Sequence, residues 1–449
     1  MIEPPPIAPP APSRSWLPRQ FLRLVRFVLH RPGRAALYFA LAVALLAALL
    51  FAIQEGVFRW HRRDARREVE RGHNAAAGPH LAACLSIHPR DPETLMLCAV
   101  QARRSGNWED AEALLTRYSR ERGDDADLVF ERLLLRATRG DLENSAPLLI
   151  ARIEAGGPDA RPAREALVTG LLYRFRWTEA DRTLAGWLRA SPDDPFALLL
   201  RGKFLEQRQQ ASEALINYRR IVELDPEHDE ARLRMTTLLL QLRQGEEALT
   251  HLDYLRVRLP NLPEVQVQRA KALALQGRTE EARAALDDCV SRIPDHAGAL
   301  AERAALAVQA GDDRAAERDY ARAVELSPGD VTILTPYAAV LARTGKTAEA
   351  AKLQETLKQL QADQERISEL IAGPLQTRPD DPSIPHEIAA IALRSGQSAE
   401  GFRWLNAALQ IDPNHAPTHR LLANYYQTAG NPALAARHRA LARSAEKKP

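Results

Sequence analysis

Three groups of side chains have types and spacings that could do chemistry. His415 and His419 stand four apart, which would put two imidazoles on one helical face as half of a metal site, but no third ligand stands near them in sequence. Cys84, Cys98 and Cys289 form no CxxC pair and are too few for a disulfide framework, although a Cys84–Cys98 bond stays open if the chain folds in an oxidising compartment. Arg19, Arg23, Arg26 and His30 fall at helical spacing within RQFLRLVRFVLH, a basic stripe on an apolar helix that suits an anionic membrane surface or a neighbouring protein. No Gly-rich phosphate loop, HExxH or GxSxG is present. The expectation is no catalytic residue, no cofactor, no metal and no small-molecule substrate. A formal net charge of +3 gives no global field for nucleic acid.

The elements that would position such groups are set by a period. Pro158, Pro192, Pro226, Pro260, Pro294 and Pro328 are 34 residues apart, and an alanine precedes each by 12: Ala146, Ala180, Ala214, Ala248, Ala282 and Ala316. A period of this length marks a repeat array. The clearest unit is FALLLRGKFLEQRQQASEALINYRRIVELDP, ending at Pro226. It resembles the tetratricopeptide repeat (TPR) family, whose unit is a helix–turn–helix of 34 residues. The resemblance implies an all-α fold, a right-handed α-solenoid of about ten repeats. Gly140, Gly277 and Gly311 would make the turn between the helices. Gly202, Thr236, Ala270 and Ala304 would face the alanine column, and Ile150, Leu184, Tyr218, Leu252, Leu286 and Tyr320 would fill the gap to the next unit. Cys84 and Cys289 fall in small-residue slots and read as small buried hydrophobes. Arg201, Arg269 and Arg303 depart from the family pattern. Either their stems pack while the guanidinium reaches water, or the first helices rotate.

In that family the first helix of each unit lines a concave face. One row there reads Leu199, Leu233, Val267, Ala301; the next Lys203, Thr237, Lys271, Ala305; a third Glu206, Leu240, Ala274, Val308. An aliphatic track with two lysines, bounded by Glu206 and Glu230, suits a peptide with apolar anchors and an acidic group. The same aliphatics would equally well pack between first helices.

The domain order follows. Residues 1–18, with seven prolines, are an unstructured tail, and residues 19–34 the basic amphipathic helix. Residues 35–53 carry no charge over 19 residues, enough helix to cross a hydrocarbon core, and read as a single uncleaved transmembrane helix. Residues 54–91 form a juxtamembrane helix and degenerate first repeat, 92–328 the main array, and 382–449 a closing pair with a charged tail. Residues 329–381 hold a repeat whose second helix is lengthened, with Leu353, Leu360 and Ile367 at heptad spacing; that seam is either a dimer contact or folds back. Arginines are balanced across the span, five against six, and the amphipathic helix tips the N-terminus to the cytoplasm. The resemblance then implies an inner-membrane, single-pass scaffold for proteins or peptides, with the repeats extracytoplasmic. Alternatives are an envelope assembly or quality-control chaperone, and a non-catalytic subunit of a membrane enzyme complex.

Overall fold

The structure, a computed structural model, describes residues 32–446. The proline-rich tail and nearly all of the basic stripe therefore lie outside the described residues. Antiparallel helix pairs follow one another along the chain. They are α1 (Pro32–Arg71) with α2 (Asn74–Ile87), α3 (Pro92–Arg104) with α4 (Trp108–Arg122), α5 (Ala126–Thr138) with α6 (Leu142–Ala155), and α7 (Ala160–Tyr173) with α8 (Trp177–Ala190). Next come α9 (Pro195–Gln207) with α10 (Ala211–Leu224), α11 (Asp229–Gln241) with α12 (Gly245–Arg258), α13 (Pro263–Leu275) with α14 (Thr279–Arg292), and α15 (Ala297–Gln309) with α16 (Asp313–Leu326). The array ends with α17 (Val331–Arg343) and α18 (Thr347–Ala372), the single turn α19 (Pro374–Thr377), α20 (Ser383–Arg394) with α21 (Ser398–Ile411), and α22 (Ala416–Thr428) with α23 (Pro432–Glu446).

Each hairpin turns on one residue with positive φ. Glycine fills that position at 72, 106, 140, 277, 311, 345, 396 and 430, and Phe175, Gln209 and Arg243 take it in the other three. Where glycine stands there, the left-handed backbone carries no steric penalty, and the turn closes the first helix by hydrogen bonds such as Gly106 N–H to Arg103 C=O and Asn107 N–H to Ala102 C=O. The following first helix is capped by a second periodic residue. Asp91, Asp125, Asp194 and Asp330 accept from backbone N–H groups one turn ahead, and His228 and His296 do the same through Nδ1. The prolines stand two residues past the ends of α8, α10, α12, α14 and α16, where the helix must stop.

The turn ladder corrects two columns of the sequence reading. It steps by 34 except between Gly140 and Phe175, where it steps by 35. The extra residue is taken up at Gly156 and Gly157, both left-handed, so α6 sits one residue out of phase. Ser145 and Leu149, not Ala146 and Ile150, are the fully buried pair; Ile150 is 44% exposed. Gly202 faces the Tyr218 ring, not Ala214: a Cβ there would lie 2.5 Å from the ring. The departing arginines take neither offered course alone. Arg269 pairs with Asp253 at 2.7 Å, Arg303 with Asp319 at 2.6 Å and Asp287 at 3.2 Å, and Arg201 with Asp181, so the guanidinium groups stitch neighbouring helices together.

Two departures from the regular array shape the molecule. The first is α1, 40 residues long. Its apolar part stands exposed, from Leu37 to Ile53, while Phe58, Ala65 and Val69 are buried as the first helix of the first hairpin. The second is α18, with 26 residues against 14 in α16. Its far end folds back: Ile367, Leu370 and Ile371 pack with Ile388 of α20 and Trp404 of α21, and Asp363 takes Arg394 at 2.5 Å. Gly329 fits under the α20–α21 turn, where a Cβ would lie 1.9 Å from Ser395 O.

Candidate partner-binding groove

The expected groove residues separate by depth. Leu199 and Val267, each 8% exposed, belong to the core between units, with Leu233 and Leu240 partly buried against it. Ala301 is half-buried, while Thr237 and Lys271 are exposed. What reaches the surface is a polar ladder tying each first helix to the next. Lys203 of α9 pairs with Glu230 of α11 at 2.7 Å, and Lys271 of α13 with Glu302 of α15 at 2.8 Å. Arg234 bridges Glu206 at 3.0 Å and Glu230 at 3.3 Å. Thr236 donates to Gln268 Oε1 at 2.6 Å, and Gln268 Nε2 donates to Thr237 at 3.0 Å. Neither lysine presents an unpaired ammonium to a partner.

Burial alone would raise the Glu230 carboxyl, but Lys203 and Arg234 outweigh it and hold it at about 2. A carboxyl lowered on folding stabilises the fold above its unfolded value, and the contribution is lost as pH falls through the folded one. The melting-temperature difference between wild type and Lys203→Met should therefore be full at neutral pH. It should shrink below about pH 4.5 and vanish near pH 2 in a circular-dichroism pH series.

Part of this face is occupied by the chain's own first hairpin. The α1–α2 turn reaches the unit formed by α11 and α12: His73, 3% exposed at its side chain, bridges Glu68 at 2.7 Å and Asp225 at 2.8 Å, and its ring lies edge-on to His228. Gly72 rests on the Phe196 ring, where a Cβ would stand 3.0 Å from Cζ. Arg104 and Arg161 both lie 4.7 Å from that ring's centroid. Behind them runs a buried ion cluster: Arg103 to Glu131 at 2.5 Å, Arg103 to Glu165 at 4.0 Å, and Arg104 to Glu165 through two hydrogen bonds of 2.8 and 2.9 Å. A cavity of about 440 Å³ remains between the turn and Lys203, Glu230, Leu233 and Arg234. The open part of the face thus begins beyond Leu233, at Thr237, Lys271 and Ala301. The contacts of His73, Arg104, Glu165 and Phe196 join residues up to 152 apart, which a 34-residue period cannot reveal. The one signal was charge on first helices at positions other units fill with aliphatics.

The groups weighed for chemistry have structural partners. His415 bonds Thr418 at 2.7 Å, whereas His419 turns away to His438 at 3.1 Å and to Pro413 O at 3.0 Å. Among the described residues no three His, Cys, Asp or Glu side chains are disposed to hold a metal. All three cysteines are buried and free, and burial pushes the Cys98 thiol up to about 11.

Hairpins stacked through small residues, each first helix cross-linked to the next, define an α-solenoid whose first helices offer a continuous face. Residues 263–296 match the tetratricopeptide repeat family, and the chain is a tetratricopeptide repeat protein. Repeats of this family bind proteins or peptides. Similar solved structures include PilW, a type IV pilus biogenesis factor (16% identity, 43% of this chain and 90% of that one, TM-score 0.38). MamA from Desulfovibrio magneticus RS-1 is another (21% identity, 37% and 95%, TM-score 0.34). A third is a thermophilic TPR protein of Thermus thermophilus (17% identity, 51% and 98%, TM-score 0.28). A search of curated proteins finds no match.

Proposed function

We propose that this chain is a single-pass membrane scaffold that docks partner proteins on the first-helix face from Thr237 to Ala301. The observation that carries the reading is the course of α1. Among the described residues it is the one helix long and apolar enough to cross a membrane, and it runs without a break into a hairpin core. A rigid continuation of that kind supports an anchor retained in the mature protein, in the inner membrane, with the array extracytoplasmic. Thr237, Lys271 and Ala301, with Leu240 beneath them, form the docking surface, and the Lys271–Glu302 pair favours partners carrying both charge signs.

The test has two arms. Carbonate washing should leave the full chain in the membrane pellet, and deletion of residues 1–60 should release it; a full chain that washes off ends the anchored reading. Affinity purification from detergent-solubilised membranes, read by mass spectrometry, should return a defined set of proteins, and Lys271→Glu should lower their recovery several-fold with helical content kept. Recovery unchanged in that variant would move the docking surface elsewhere.

A further inference from the structure

We infer that the solenoid is held closed on itself by a releasable clasp, in which Phe175 of the α7–α8 turn docks on Trp404 of α21. The inference does not depend on the anchoring or partner readings. Eight of the eleven hairpin turns put glycine in the left-handed position; Gln209 and Arg243, both exposed, fill two of the others. Phe175 fills the last with φ +55° and is 8% exposed. A bulky aromatic side chain there is strained, and the local turn does not need one. Its gain lies across the molecule. The Phe175 ring stacks on Trp404 with centroids 4.1 Å apart and planes 8° from parallel, and the Arg403 guanidinium lies 4.7 Å from the Phe175 centroid. Around the stack, Arg174 donates to Gln410 Oε1 at 2.9 Å, and Gln410 Nε2 donates to Arg139 O at 2.7 Å.

The clasp is made by few side chains, and the walls beside it do not meet. A cleft of about 810 Å³ separates the two hairpin turns Gly140–Asn144 and Arg174–Glu179 from Leu375, Gln376 and Asp380. Protein interiors rarely leave voids much larger than a water molecule, so this contact is a docked surface and not a shared core. The intervening hairpins stack by nearest-neighbour contacts, so small rotations between them suffice to open the loop. Closed, the array hides Phe175 and Trp404; open, it presents two aromatic rings and a wider concave face.

Spin labels at Asn144→Cys and Gln376→Cys, on opposite walls of the cleft, report the state in the detergent-solubilised full chain. The wild-type background should give one short, narrow distance distribution by pulsed electron resonance. Phe175→Gly should lengthen and broaden it by a helix diameter, about 10 Å. Its melting temperature should hold or rise, because glycine relieves the turn. A short distance retained in Phe175→Gly, or a long one already present in the wild-type background, overturns the clasp. Should Phe175→Gly lose helical content, Gln410→Ala decides: a shift to longer distance sustains the clasp, and an unchanged distribution ends it.

Discussion

Gly170→Ala should be among the most damaging single-methyl additions in the array. The added Cβ would lie 2.1 Å from the Ala137 carbonyl oxygen and 2.9 Å from Leu142 Cδ2. Backbone cannot swing aside as a side chain can, so α7 must move off the α5–α6 turn. Overpacking of this kind costs about 3 kcal/mol or more. Gly202→Ala meets only the Tyr218 ring, at 2.5 Å, and should cost less. Gly186→Ala, with nothing within 4 Å, should stabilise by about 1 kcal/mol through helix propensity. Urea denaturation of the three variants should rank them in that order, and a neutral Gly170→Ala would show that α7 does not approach the α5–α6 turn so closely.

Glu165→Leu is expected to cost about 3–5 kcal/mol, because it strands buried positive charge. Burial would lower Arg103 and raise Glu165, yet the pairing outweighs both: Glu131 and Glu165 raise the guanidinium, and Arg104 and Arg103 lower the carboxyl. With Glu165 gone, Arg103 keeps only Glu131, and Arg104 keeps only the Val69 carbonyl. Adding Arg104→Met to Glu165→Leu should recover part of the loss, since it removes the stranded charge. A double-mutant cycle in thermal denaturation checks this; additive losses would mean the pair is not coupled.

The array was legible because its columns are local. Turn, cap, alanine and proline each follow from one residue at one position, so the 34-residue period exposes them. The phase slip in α6 was hidden because Ala146 and Ile150 suit the columns as well as Ser145 and Leu149 do. Only the left-handed turn, visible in φ, distinguishes the two registers. The candidate groove was less legible. Row positions could be written down, but the depth of Leu199 and Val267 depends on how neighbouring first helices nest. The pairing of Lys203 and Lys271 depends on residues about one repeat ahead. The ends of the array meeting its middle left no periodic trace, because each such contact joins unlike positions.

Closure of the chain on itself also sets the order of folding. Hairpins and their neighbours touch over short sequence separations, so most of the array can form quickly from any nucleus. The contacts from Tyr173, Arg174 and Arg139 to the last hairpins span 230, 236 and 271 residues. Closing so long a loop in a flexible chain would carry a large entropic cost, whereas stacked hairpins bring the ends near before they touch. Refolding should therefore show a fast rise in helicity followed by a slower phase in the fluorescence of Trp404, whose ring is covered only when the last hairpins dock. A strand of repeats gains its helices locally and becomes a loop late.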